Sequence, residues 1–470
     1  MEQASEHGSG MEQALASHSV PSRVRPLPGR AVVLLRAVAL LLAAGCAALA
    51  GSASARAGEL SRVERRVVAA VDRNAPASLA LLERAVGINS GSMNFDGVRE
   101  VGRLLAPEFE SLGFKTEWVD GAVWGRAGHL IARRPGRDGA LRVLLIGHLD
   151  TVFETDSPFQ RFERLSPDAA RGPGIIDMKG GDVVMLLALR ALRDAGVLDR
   201  LALVAILTGD EEDSGAPLSA ARRDLVEAAE WADVALGFED GAGDPRTAVI
   251  ARRGSSGWRL RATGRPAHSS QIFREDIGSG AIYEAARILA AFHEALSGEA
   301  YLTVSPGVAL GGTTVTFDGE GGRGTAFGKT NVIPESAVAA GDLRSISLEQ
   351  RERAKETMRR IVAAHLPHTD AEIVFDDGYP PLAPSDGNRR LLALYDQASR
   401  DLGFGEVSAV DPSRAGAADI SFTETLVEMA LDGIGLMGDG GHTVKETADL
   451  RTLPSQAKRA AVTLLRLAAP

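Results

Sequence analysis

The chain is almost without cysteine. Cys46 is the single one in 470 residues, so no intrachain disulfide and no thiolate metal cluster can form. Any metal has to be held by histidine and carboxylate, and nine histidines are present to sort. Positive charge is also in deficit. There are 52 Lys and Arg against 62 Asp and Glu, a formal net charge of −10. Such a chain has no long-range attraction for phosphate backbones, so nucleic acid is not an expected partner. A long apolar run is missing too. The uninterrupted stretch from Ala37 to Ala50 is 14 residues, short for a membrane span. No internal repeat or low-complexity tract stands out beyond the first 55 residues.

What is present is 45% hydrophobic and 24% charged residues, the balance of a soluble globular protein. The length suits roughly two to three domains. Residues 1–55 read as a leader. Arg23, Arg25 and Arg30 precede the apolar run, and Gly51-Ser-Ala-Ser-Ala55 closes it with small residues in an A-x-A pattern. These are the parts of a secretory signal. Cleavage after Ala55 and export to a periplasmic or extracellular location are expected. The alternatives are lipidation at Cys46, within Ala43-Ala-Gly-Cys46, and a membrane anchor or buried N-terminal helix. Met11 is an alternative start.

The rest alternates helices and strands. Leu60 to Ile88, Val98 to Leu112 and Val183 to Leu192 have helical spacing. Leu141–Ile146, Leu201–Leu207 and Val234–Leu236 are short apolar runs, read as buried strands. This order predicts an α/β domain with a mainly parallel sheet. After about Ala251 the pattern changes. Trp258, Leu260 and Ala262 alternate with Arg259, Arg261 and Thr263, a strand with one wet face. A helix from Ile277 to Leu296, strand segments in Leu302–Phe317 and Val332–Leu343, a helix opened by Ser347-Leu-Glu-Gln350 and running to about Leu366, and a strand at Ala371–Phe375 follow. That is βαββαβ, a ferredoxin-like insert. Helices at Arg389–Leu402 and Leu453–Leu467 return to the first domain.

Chemistry gathers at the ends of the apolar runs. The first ends in Gly147-His148-Leu149-Asp150. Asp177 sits between two glycine-rich turns. The second run ends in Asp210-Glu211-Glu212-Asp213, four acids that repel unless a cation or solvent offsets them. The third ends in Glu239-Asp240, and His442 lies in a glycine-rich loop near the C-terminus. Each alone has an ordinary reading: a turn, a helix cap, a solvated face. Together they place histidines and carboxylates at the C-terminal edges of parallel strands, where open α/β sheets bind ligands. Two histidines and three carboxylates suit a pair of divalent ions, zinc first, and a fourth acid is free to act as a base.

His148-Leu-Asp-Thr-Val152, Gly172-Pro-Gly with Asp177-Met-Lys-Gly180, Glu211-Glu212, Glu239 and His442 resemble, in order and spacing, the co-catalytic zinc metallopeptidases. That group comprises glutamate carboxypeptidase, acetylornithine deacetylase, succinyl-diaminopimelate desuccinylase and the aminoacylases. The resemblance runs from about Leu60 to the C-terminus and is closest in appearance to glutamate carboxypeptidase. It implies a catalytic domain over 56–253 and 376–470 and a lid or dimerisation domain over 254–375. It further implies two zinc ions per chain. His148 and Glu239 would hold one, Glu212 and His442 the other, and Asp177 would bridge. Asp150 would orient His148, Glu211 would be the general base, and His268 would reach a partner's site in a homodimer. Asn331 and Arg344 match positions that hold a substrate carboxylate. The implied activity is hydrolysis of a C-terminal peptide bond, with N-acyl amino acid deacylation as the alternative. A non-catalytic binding protein is the competing class.

Three departures from the pattern stand out. Asp240 follows Glu239, so either acid is open as the ligand. His129 stands where the family has Asn and reads as structural. Ala417-Ala418-Asp419 replaces a more glycine-rich pocket segment, which leaves the substrate open. His293, His365 and His368 read as surface residues, and Arg259, Arg261 and Arg265 as a solvated face.

Overall fold

Ser61 and Glu64 set the start of the first helix. The Ser61 hydroxyl accepts from the Glu64 N–H at 3.2 Å, and the Glu64 carboxylate accepts from the Ser61 N–H at 2.6 Å. This reciprocal cap opens α1, Arg62–Val86. The computed structural model describes residues 59–319 and 322–469. The leader expected over 1–55, with Cys46, lies outside them.

Asn94 caps α2, Phe95–Glu110, which therefore starts three residues before the apolar spacing announces it. The chain then forms β1 (Lys115–Asp120), β2 (Gly128–Arg134), β3 (Leu141–His148), α3 (Lys179–Asp194), β4 (Leu201–Thr208), α4 (Arg223–Trp231) and β5 (Val234–Gly237). The second set is β6 (Gly254–Gly264), α5 (Ala281–Leu296), β7 (Thr303–Gly312), β8 (Thr314–Asp318), β9 (Arg323–Phe327), β10 (Ser336–Ser345), α6 (Leu348–Val362) and β11 (Thr369–Asp377). The chain closes with α7 (Asp386–Asp401), β12 (Met429–Leu431) and α8 (Thr452–Leu467).

The main sheet has the order β1-β2-β4-β3-β5-β12. Its last four strands are parallel, and the β1–β2 hairpin adds an antiparallel edge. Both faces are covered, which is why β3 and β4 are almost wholly apolar. Val143 and Leu145 face the core beneath α1, α2, α3 and α8, while Leu144 and Ile146 face a second core with Leu225 and Ile420. Alternation along one strand thus feeds two cores.

The second sheet is antiparallel, in the order β7-β10-β6-β11. Helices α5 and α6 cover one face through Ile288, Phe292 and Met358, packed on Trp258, Leu260 and Leu343. Arg259 and Arg261 point to the other face and are exposed. This is the ferredoxin-like arrangement, with the β8–β9 hairpin added between β7 and β10. The chain passes between the sheets twice, at residues 251–254 and 377–382, and the two passages pair with each other. The N–H of Arg252 donates to the Leu382 carbonyl, and that of Leu382 to the Arg252 carbonyl, each at 2.9 Å. Both sheets belong to one compact unit, Gly58–Pro470.

Candidate metal centre

His148 is the last residue of β3, and the chain turns immediately after it. That turn lets Asp150 meet the same imidazole twice: its carbonyl oxygen lies 3.1 Å and its carboxylate 3.4 Å from Nδ1. A partner on Nδ1 leaves Nε2 as the free ligand nitrogen. Asp150 is fully buried and also accepts from the Ser92 hydroxyl at 2.6 Å and the N–H groups of Glu211 and Glu212 at 3.0 and 3.1 Å. One carboxylate therefore orients a histidine and anchors the neighbouring acidic loop.

Asp177 enters from the turn that leads into α3. Gly174 takes φ 70° there, a left-handed turn position. Gly181, in the first turn of α3, lets the helix press on the end of β5; a Cβ there would fall 1.8 Å from the Phe238 carbonyl oxygen. The Asp177 carboxylate is split between two histidines. Its Oδ1 lies 3.1 Å from His148 Nε2, and its Oδ2 lies 2.8 Å from His442 Nε2. Glu239, just past β5, reaches His148 Nε2 at 3.6 Å, and Glu212, just past β4, reaches His442 Nε2 at 3.2 Å. His442 itself sits at φ 60° beyond Gly440 and Gly441. The structure thus brings together His148, Asp150, Asp177, Glu212, Glu239 and His442. Glu211 joins them through its backbone bond to Asp150.

The electrostatics describe a cluster short of positive charge. Burial opposes charge on His148, yet Asp150, Asp177 and Glu239 outweigh it and hold its pKa well above the usual range. Asp177 and then Glu212 raise His442 to about 11. Burial would raise Asp177, but the two imidazoles hold it well below an ordinary carboxylate. Glu211 and Glu239 go well above, first through burial and then through neighbouring acids. Such a set is balanced by divalent cations. Ligand atoms of His148, Asp177 and Glu212 all lie within 4.8 Å of one another. Glu212 Oε1 is buried with no hydrogen-bond partner, an orphaned acceptor that a metal would satisfy. The residues present fit a metal.

Asp240 is half-buried, and its pKa is raised to about 7, by desolvation first and Asp177 next. No hydrogen bond joins its carboxylate to either histidine among the described residues, whereas Glu239 faces His148. The four-acid run divides its charge. Asp210 bonds the buried Arg222 at 2.7 Å, and Asp213 bonds Arg126 at 2.8 Å. His129 is a core residue: Nε2 meets the Ala221 carbonyl at 2.7 Å, Nδ1 accepts from the Gly209 N–H at 3.2 Å, and the ring stacks on Trp124. Asp419 accepts from Thr208 and Arg222, each at 2.6 Å, so that segment underlies the site.

His268, Asn331 and Arg344 are not gathered with the carboxylates. His268 is exposed and bridges to Val332, and the Ser269 N–H bonds the Asn331 carbonyl at 2.9 Å. Both residues lie where the paired ends Gly264 and Ser336 meet. Arg344 lies at the opposite end of β10, opposite Ser255 and beside the passages, with Nε bonded to Asp342 at 2.7 Å. From Ser336 to Arg344 the strand runs about 26 Å at ~3.3 Å per residue. Several supports of the site carry no sequence signal: Ser92, Arg222, Glu446, and the Arg252–Asp432 pair at 2.8 Å that stands behind Glu239. The bonds of Ser92 to Asp150, Arg222 to Asp419, Glu446 to Gly174 and Arg252 to Asp432 span between 58 and 272 positions, while Arg222 also reaches the nearer Asp210 and Ser214.

Residues 144–467 match the peptidase family M20/M25/M40. The chain belongs to this family. It is 28% identical over 401 residues to carboxypeptidase G2 of Pseudomonas sp. (strain RS-16), covering 84% of this chain and 90% of that relative. Two solved structures share this fold. Aminopeptidase PepT from Bacillus cereus ATCC 10987 superposes with a TM-score of 0.63 at 18% identity, covering 84% of this chain and 99% of that one. The Bacillus subtilis YXEP protein, described as a dinuclear metal binding peptidase, gives 0.57 at 16%, covering 84% and 99%. The chain is therefore a hydrolase of the M20 metallopeptidase type, with an α/β catalytic sheet and a second, antiparallel sheet.

Proposed function

We propose that this M20 protein is a zinc-dependent exopeptidase that removes a C-terminal amino acid, in the manner of a glutamate carboxypeptidase. N-acyl amino acids are the alternative substrates. The observation that supports this most is Asp177, whose two oxygens face two different imidazoles one loop away from a Glu-Glu pair. The likeness to a carboxypeptidase along most of both chains supports the C-terminal preference.

In this reading His148 and Glu239 would hold one ion, Glu212 and His442 the other, with Asp177 shared between them. Zinc held there would supply Lewis acidity for the amide carbonyl and for water. Asp150 orients the His148 imidazole through Nδ1, which would leave Nε2 for the metal, and fixes the backbone of the Glu pair. Glu211 takes a proton from the attacking water and returns it to the leaving amine. Arg344 and Asn331 hold the substrate carboxylate. Residues 254–375 form the lid and dimerisation region of a homodimer. His268 and Asn331, at the end of the second sheet remote from the passages, serve the neighbouring copy, where His268 stabilises the oxyanion. Residues 1–55 export the protein, with anchoring through Cys46 as the alternative.

The test is a hydrolysis screen of the zinc-loaded protein. Dipeptides ending in Glu, Asp, Ala or Leu are compared with N-acetyl amino acids, with and without chelator. Chelator-sensitive release of the C-terminal residue is expected. Cleavage of N-acetyl amino acids alone would move the protein to the deacylases, and no cleavage of either set would leave a binding protein.

A further inference from the structure

Glu446 lies four residues past His442, and nothing in its own hairpin needs its carboxylate. The hairpin is closed without it. Gly438–Asp439 pairs with Thr447–Ala448, and the Glu446 N–H donates to the Thr443 carbonyl at 3.0 Å. The side chain instead runs inward and is fully buried. There it accepts three backbone N–H groups of the turn that carries Asp177: Gly174 on Oε2 at 3.0 Å, and Ile176 and Asp177 on Oε1 at 2.9 and 3.3 Å. A carboxylate that gathers three consecutive-loop N–H groups fixes the shape of that loop as well as its place.

The same hairpin therefore grips the same turn twice. Glu446 holds its backbone, and His442 meets the Asp177 carboxylate at 2.8 Å. The two ends of this arrangement come from chain segments about 270 residues apart, and among the described residues no other side chain bonds the N–H groups of 174, 176 and 177. We infer that Glu446 is a positioning residue that sets the Asp177 carboxylate against His442 and thereby determines how tightly the centre holds its metal. This rests on the metal-site reading above. Glu446 touches neither substrate nor metal; it acts through the turn.

Glu446→Gln tests it. The amide oxygen can still accept from Ile176 and Asp177, but its NH2 faces the Gly174 N–H, donor against donor. Zinc affinity, measured by competition with a chromophoric chelator, should fall about 10–100-fold, the usual effect of losing a partner behind a metal ligand. The visible bands of the cobalt-substituted protein should shift, while far-ultraviolet circular dichroism stays that of the wild type. If Glu446→Gln does not fold, Glu446→Asp keeps the charge but is one methylene too short to reach all three N–H groups, and it should show the same loss. Zinc affinity within twofold of the wild type, with an unchanged cobalt spectrum, in whichever variant folds, would overturn the inference. A wild-type chain that takes up no zinc at all would overturn the metal-site reading, and this inference with it. The two failures are distinguishable because the first is read on the variant and the second on the wild type.

Discussion

Glu211 and Glu212 are adjacent and chemically identical, so only placement can give them different work. Their N–H groups are both tied to Asp150, and consecutive side chains then diverge. Glu212 meets His442 and keeps an unpartnered oxygen, the position of a ligand. Glu211 has no histidine within ion-pair distance among the described residues, the position of a base. Glu211→Gln should keep close to two zinc ions per chain while losing about 10²–10⁴-fold in turnover, the usual weight of general acid–base catalysis. Glu212→Gln should lose metal along with activity, and excess zinc should restore part of it. Zinc content and turnover, measured on both variants, decide the assignment; the opposite pattern reverses the two roles. A second residue makes a pH prediction. Asp182, in the first turn of α3, is fully buried with both oxygens unpartnered, and burial pushes its pKa well above the carboxylate range. A raised folded-state pKa means that the folded chain holds the extra proton. The residue is tolerated near its unfolded pKa of about 4 and becomes costlier as pH rises toward the folded value. Asp182→Asn should therefore stabilise the protein at pH 8, by on the order of 1–3 kcal/mol, and change little near pH 5. Urea unfolding in chelator at the two pH values is the check. An equal shift at both would exclude titration as the cause.

Among the elements, legibility followed how much of the signal was local. The strands β3 and β4 announce themselves because burial on both faces demands an apolar run, and their ends deliver His148 and the Glu pair. The antiparallel strands β1 and β2 do not. β1, at the edge, is largely polar, KTEWVD, and borrows its order from its neighbour; β2, paired on both sides, ends in two arginines that break its apolar run. The three-residue β12 is too short to show a period. Helix starts shifted where a cap, not the apolar stripe, marks the boundary, as Asn94 does for α2. The same division holds at the site. His148, Asp177, Glu212, Glu239 and His442 were legible because their motifs sit at fixed positions relative to strands and turns. Ser92, Glu446 and Arg222 were not, because the partners that give each of them its role in the site are, but for Asp210 beside Arg222, set by the fold. A cap gives the prediction of this scale. Ser61→Ala removes one half of the box on α1, whose Glu64 also pairs with Arg466 of α8 at 2.7 Å. The expected cost is about 1 kcal/mol, read by denaturant unfolding. A loss well beyond 2 kcal/mol would mean that the hydroxyl also secures the contact between α1 and α8.

The whole molecule poses a problem of distance. Arg344 stands beside the passages between the sheets, while His268 and Asn331 lie at the other end of a strand that spans about 26 Å. One copy of the second sheet cannot present both ends to one metal centre as it stands, but two copies related by a twofold axis can each lend the far end to the other. The proposed homodimer has a sharp test. Protomers carrying His268→Ala keep Glu211, and protomers carrying Glu211→Gln keep His268. Each homodimer is then inactive at both sites. A mixed dimer has one site with its own Glu211 and the neighbour's His268, and one site lacking both. Random exchange of equal amounts makes about half of the dimers mixed, so about one quarter of all sites should become active. Recovery of turnover toward that level after subunit exchange is the expected result. Mixed dimers demonstrated by differential tagging, with turnover no higher than that of the separate variants, would place His268 outside the neighbouring site.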